Sequence, residues 1–111
     1  MLQRILARFC ALPGANQSYL VSRHDGLVAA VGKRNRVPDL ELANKLILAL
    51  SNIEAATGVS DGLELWFEGD DHLLLSRIDE DEYVVISGKG KRIARWRHAI
   101  ENDLEMLHAI S

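Results

Sequence analysis

Apolar residues fall in two rhythms along this chain, one of three to four residues and one of two, and their alternation predicts the elements. Leu2, Ile5, Leu6, Phe9 and Leu12 recur at helical spacing, which predicts a helix over Leu2 to Leu12. Pro13-Gly14 ends it, because proline cannot continue a helix and glycine readily leaves one. Gln17 to Arg23 and Leu27 to Gly32 read as two strands joined by His24-Asp25-Gly26. Asp-Gly accepts the positive φ of a tight hairpin turn. Lys33 to Val37 follows as a polar, basic loop. Pro38 and Asp39 open a long helix that runs to Thr57 and stops at Gly58, with Asp39 placed to cap free N–H groups at its start. Three strands come next: Leu63 to Glu68, His72 to Ile78, and Tyr83 to Ser87. Gly69-Asp70-Asp71 and Asp79-Glu80-Asp81-Glu82 turn the chain between them. Gly88-Lys89-Gly90 leads into a last helix, Lys91 to Ala109, whose buried stripe is Ile93, Trp96, Ile100, Leu104 and Leu107.

The long helix is apolar over too wide an arc. Leu40, Leu42, Ala43, Leu46, Ile47, Ala49, Leu50, Ile53 and Ala56 cover about 200° of it, roughly twice what a surface helix needs. That predicts burial on two sides, one against the chain's own sheet and one against something else. The remaining face carries Glu41, Asn44, Lys45, Leu48, Ser51 and Asn52, with Leu48 a lone apolar residue among polar ones. In the strand Leu63 to Glu68, Leu63, Leu65 and Phe67 point to one face and Glu64, Trp66 and Glu68 to the other. Leu73-Leu74-Leu75 and Val84-Val85-Ile86 are apolar on both faces, as strands are at the centre of a sheet covered on both sides. The order α-β-β-α-β-β-β-α therefore predicts an α+β fold, a five-stranded antiparallel sheet with helices on both faces.

A chain of 111 residues, 48% of them apolar, suits one compact domain over 1–111. Cys10 is the single cysteine, so no intrachain disulfide can form. That fits a reducing, cytoplasmic setting, with Cys10 read as a small buried hydrophobe. The first residues are charged and helical rather than signal-like. No apolar run reaches the ~18 residues of a membrane span, so no direct membrane insertion is expected. A formal net charge of −3 gives no general attraction to nucleic acid. The charge is nevertheless uneven. Seven acids stand against Arg77 between Glu68 and Glu82, whereas five bases and no acid lie between Lys89 and Arg97. Lys33, Arg34 and Arg36 form a further basic group. Solvated turns and a solvated helix start explain these runs as well as a binding surface does.

No catalytic constellation emerges. Gly88-Lys89-Gly90-Lys91 approaches a phosphate loop, but Arg92 stands where the hydroxyl residue belongs and the first glycine of the spacing is missing. Nucleotide hydrolysis is not expected there. Lys89, Lys91 and Arg92 instead form a candidate anion site beside free helix-start N–H groups. His24, His72, His98 and His108 make no spaced metal motif, and Asp71-His72 reads as a solvated turn pair. Ser18, Ser22, Ser60, Ser76 and Ser87 lack a nucleophile-elbow setting. Asp79 to Glu82 lacks the ligand spacing of a calcium loop. The expectation is a non-enzymatic chain with no cofactor and no metal.

Several local sequences, taken in order, carry a resemblance. They are Leu12-Pro13-Gly14-Ala15, the hairpin Tyr19-Leu20-Val21-Ser22-Arg23-His24-Asp25-Gly26-Leu27, and the Ala/Leu-rich helix from Asp39. The strand ending Phe67-Glu68-Gly69, then Leu73-Leu74-Leu75 and Val84-Val85-Ile86, complete the series. Across residues 2 to 109 the chain resembles the Roadblock / dynein light chain family, in its bacterial small-GTPase regulator type. The resemblance implies a non-enzymatic dimer, with itself or a related chain, that binds a Ras-like small GTPase. It would position the GTPase's switch regions, and in the gliding-motility type stimulate hydrolysis, without inserting an arginine. The family's strand order makes Leu63–Glu68 an edge, and its dimers join these edges and pack the long helices together. The implied dimer interface is Leu42, Leu46, Ala49, Ile53, Leu63, Leu65 and Trp66. The implied partner-binding face is Glu41, Asn44, Lys45, Leu48 and Asn52. Two other readings stay open: a structural light-chain or scaffold adaptor, and a profilin-like sensor holding an anion at Lys89, Lys91 and Arg92.

Overall fold

The computed structural model describes residues 1–59, 63–90 and 93–110, the side chain of Asn35 excepted. The elements are α1 (Leu2–Cys10), β1 (Ala15–Ser22), β2 (Gly26–Gly32), α2 (Leu40–Thr57), β3 (Glu64–Glu68), β4 (His72–Arg77), β5 (Glu82–Gly88), α3 (Ile93–Asn102) and α4 (Leu104–Ile110). A short 3-10 turn, Lys33–Asn35, interrupts the loop before α2. The five strands form one sheet in the order β2-β1-β5-β4-β3, and every neighbouring pair is antiparallel.

The apolar strands lie at the centre, as a both-faced pattern requires. In β5, Tyr83, Val84, Val85, Ile86 and Ser87 are all buried. Alternate side chains of this strand feed two separate cores. Val84 and Ile86 pack with Ile5, Leu6, Phe9, Trp96, Ile100 and Leu107, so α1, α3 and α4 cover one face. Tyr83 and Val85 pack with Ala43, Ile47 and Leu50, so α2 covers the other face. The connection from α1 into β1 is pinned at two points. Trp96 Nε1 donates to Pro13 O at 3.0 Å, and Ser18 Oγ donates to Leu6 O at 2.8 Å. Gly88 is forced by the same approach: a Cβ there would stand 2.0 Å from Gly14 O.

Helix and strand existence follows the hydrophobic rhythm, and the boundaries depart from it in physical ways. The first helix stops at Cys10 rather than Leu12. The expected last helix is two, α3 and α4, parted at Asp103. Apolar spacing runs straight through that break, so periodicity does not show it. At the break Asp103 Oδ2 accepts from Arg8 Nη2 at 2.9 Å, tying the C-terminal helices to α1. Among the described residues, no helix is long and apolar enough to cross a membrane.

Candidate functional site

Asp39 starts α2 as its spacing suggests, its Oδ1 accepting from Leu42 N at 3.0 Å. Gly58 ends the helix at φ 74°, a conformation easiest for glycine. Between them the helix buries only a narrow stripe, Ala43, Ile47 and Leu50. A second apolar stripe, Leu42, Leu46, Ala49 and Ile53, runs beside it at helical spacing. Leu42 and Leu46 are half-buried, while Ala49 and Ile53 face solvent. On the far side Glu41, Asn44, Lys45, Leu48 and Asn52 are all exposed. Leu48 is 62% exposed, and Lys45 Nζ lies 3.6 Å from Glu41 Oε1.

The second stripe runs above the β3 side of the sheet, where Leu63, Leu65 and Phe67 pack with Leu42 and Leu46 around the α2 core. On the opposite flank Ser51 accepts from Arg23, the residue after β1. β3 is the end strand, paired only with β4 among the described residues. Leu42 and Leu46 of the half-covered stripe thus share one cluster with the edge strand. Trp66 of this edge strand is engaged within the chain. Its ring turns to the other face, 5.7 Å from Trp96 and 5.4 Å from His72 between centroids. Its Nε1 donates to Glu68 Oε1 at 2.9 Å. Packing within the chain accounts for Trp66, because period-two alternation sends it away from α2.

At the level of sequence, no protein-family model and no curated protein matches the chain. Solved structures do. MglB of Myxococcus xanthus superposes with a TM-score of 0.77 at 18% identity, over 96% of this chain and 94% of that one. A Roadblock/LC7 domain from Streptomyces avermitilis gives 0.78 at 15%, over 96% and 94%. An MglB solved with a tetrameric arrangement gives 0.76 at 16%, over 97% and 85%. The chain has the Roadblock/LC7 fold.

On this fold, the basic and acidic runs largely meet each other. Asp71 Oδ2 accepts from Arg36 Nη1 at 2.9 Å, and Asp71 Oδ1 lies 2.8 Å from Lys89 Nζ. Lys89 also donates to Asp70 O at 2.6 Å. The Lys89 ammonium, and then the Arg36 guanidinium, hold the Asp71 carboxyl below its ordinary range. Asp71-His72 is therefore not a solvated turn pair: Asp71 is ion-paired, and His72 bonds to Gly90 O and packs with its ring tilted against Trp66. Of the candidate anion site, Lys89 is engaged by a carboxylate, while Lys91 and Arg92 lie outside the described residues, as does Ser60.

The acidic turn also has internal work. Asp79 Oδ1 accepts from the backbone N–H groups of Asp81 and Glu82, each at 3.0 Å. Among the described residues, no group of three His, Cys, Asp or Glu side chains is placed to hold a metal. Cys10 is buried, its thiol donating to Asn16 O. Sequence reasoning missed one feature of the Roadblock/LC7 scaffold here: a cavity of about 550 Å³ under the start of α2, lined by Gln17 and Tyr19 among others. Alternating strand residues read as core or as solvated, and nothing in their order marks a void.

Proposed function

We propose that this chain is a non-enzymatic subunit that self-associates and binds a Ras-like small GTPase. One observation carries the reading. The second apolar stripe of α2 and the open β3 edge adjoin, so a second copy laid across them buries Leu42, Leu46, Ala49 and Ile53 and pairs the edge strand at once. Open edges are sites at which another chain adds. Leu63 and Leu65 would sit beneath that contact, half-buried already. The partner would dock on the exposed polar face through Glu41, Asn44, Lys45, Leu48 and Asn52, with Leu48 as its small apolar anchor. The likeness to MglB supports this reading by fold, and the MglB with a tetrameric arrangement is a Roadblock-fold chain that assembles.

The action on the GTPase would be to position its switch regions. The chain itself would neither bind nor hydrolyse nucleotide, given the broken phosphate-loop spacing at Gly88 to Arg92. Sedimentation of the intact chain tests the assembly. A dimer at micromolar concentration that Ile53→Glu converts to monomer is expected, and a monomeric parent rejects the interface. Binding to a Ras-like GTPase from the same cell tests the docking face. Leu48→Asp and Lys45→Glu should each abolish binding while leaving the dimer intact, and full affinity in both moves the docking surface elsewhere.

A further inference from the structure

Four strands supply one continuous rung on the α2 face of the sheet: Gln17 opposite Ser87, Ser87 opposite Leu73, and Leu73 opposite Phe67. The next rung, through Tyr19, Val85, Leu75 and Leu65, lies in the core beneath α2. Over the first rung the helix is only beginning. The roof there is Arg36, Val37 and Asp39, with Leu42 of the first turn, and a cavity of about 550 Å³ remains between roof and floor. Small-ligand sites commonly have such volumes, roughly 300–1,000 Å³.

The inner wall of this cavity carries two groups that the chain does not satisfy. Gln17 is 7% exposed and Tyr19 is 0% exposed, yet Gln17 Nε2 and the Tyr19 hydroxyl have no hydrogen-bond partner. Buried polar atoms are paired in the great majority of cases, so two orphans lining one cavity point to an occupant that accepts hydrogen bonds. Burial, and then the Asp39 carboxylate, push the Tyr19 hydroxyl far above the ordinary phenol range, which keeps it a donor. Three carboxylates, Asp39, Asp70 and Asp71, line the cavity against one guanidinium, Arg36. Asp71 is occupied by Arg36 and Lys89. The Asp39 and Asp70 carboxylates make no ion pair among the described residues; at Asp70 the Lys89 ammonium bonds only the backbone carbonyl. The lining therefore favours a cation, with apolar wall from Leu42, Phe67 and Leu73 between the charged mouth and the polar floor.

We propose that this cavity binds a small organic amine, its ammonium at Asp39 and Asp70 and a hydrogen-bond acceptor at its other end facing Gln17 and Tyr19. The site shares Leu42 with the self-association surface proposed above, and no residue of the second copy is needed to complete it. The test uses the intact, isotopically labelled chain and three probes of one shape and different charge: tyramine, 4-ethylphenol and 3-(4-hydroxyphenyl)propanoate. Tyramine should produce saturable NMR shifts at the Gln17 side-chain amide and at the Leu73 and Ser87 amides. It should bind about tenfold more tightly than the anionic probe, as one charge-assisted contact allows. Asp39→Asn keeps an acceptor for the α2 cap and should lower tyramine affinity by about the same factor. Tyr19→Phe should weaken binding severalfold without lowering Tm, because the hydroxyl it removes has no partner in the chain. Absence of saturable shifts with tyramine, equal affinity for the anionic probe, or unchanged tyramine affinity in both variants overturns the proposal.

Discussion

Asp71 joins three segments remote in sequence: the loop before α2 through Arg36, the β3–β4 turn in which it sits, and the β5–α3 connection through Lys89. The contributing side chains remain partly exposed, Asp71 at 32% and Lys89 at 63%, so water screens the tie and its net worth is on the order of 1 kcal/mol. Because the folded-state carboxyl is held below its ordinary range, its stabilisation is complete above the unfolded carboxylate pKa. It is lost as pH falls through the depressed folded value. Asp71→Asn should therefore lower Tm at pH 7, with the difference from the parent shrinking as acid titrates the tie away; thermal melts at several pH values check this. The cap at Asp39 is local by contrast, reaching Leu42 three residues on. Asp39→Ala should cost about 1 kcal/mol, and Asp39→Asn close to nothing, measured by urea denaturation. Local spacing makes such a cap readable in sequence. The partners of Asp71 lie 35 and 18 residues away and only the folded sheet brings them together.

The long helix has three distinct sides, a buried stripe, a half-covered apolar stripe and an exposed polar face, and substitution should separate them. Ile47 is 5% exposed and belongs to one buried cluster with Tyr19, Val85 and Leu75 under α2. Ile47→Ala should cost about 2–4 kcal/mol through lost burial and a residual cavity. Leu48, one position on, is 62% exposed, and Leu48→Ala should change stability by less than about 0.5 kcal/mol. Paired urea titrations of the two variants measure the contrast. The apolar arc of α2 was legible as excess, and the structure divides it into a buried stripe and a half-covered one. The C-terminal helices show the opposite limit. Ile93, Trp96, Ile100, Leu104 and Leu107 keep one period across Asp103, so the break there is invisible to periodicity. It coincides with an ion pair to α1, 95 residues away.

The whole molecule presents one sheet with two cores, and its stability should be coupled to concentration if copies meet on the α2 flank and β3 edge. Binding of a partner to the folded state alone raises Tm by mass action. Melts across a hundredfold range of protein concentration should show a rising Tm for the parent, and a flat one for Ile53→Glu. The sequence by itself determined the element order, the central place of β4 and β5, and the excess apolar width of α2. It also determined the cap at Asp39. Each of these is set by spacing along the chain, because helices and strands repeat at 3.6 and 2 residues. Tertiary structure alone decided that Trp66, half-buried, packs against the core beside Trp96, and that Asp71 gathers the basic residues Arg36 and Lys89. It decided too that Gln17 and Tyr19 line a cavity with their polar atoms unpaired. These depend on which strands become neighbours and where a helix begins above them, and such distances in space have no period along the sequence.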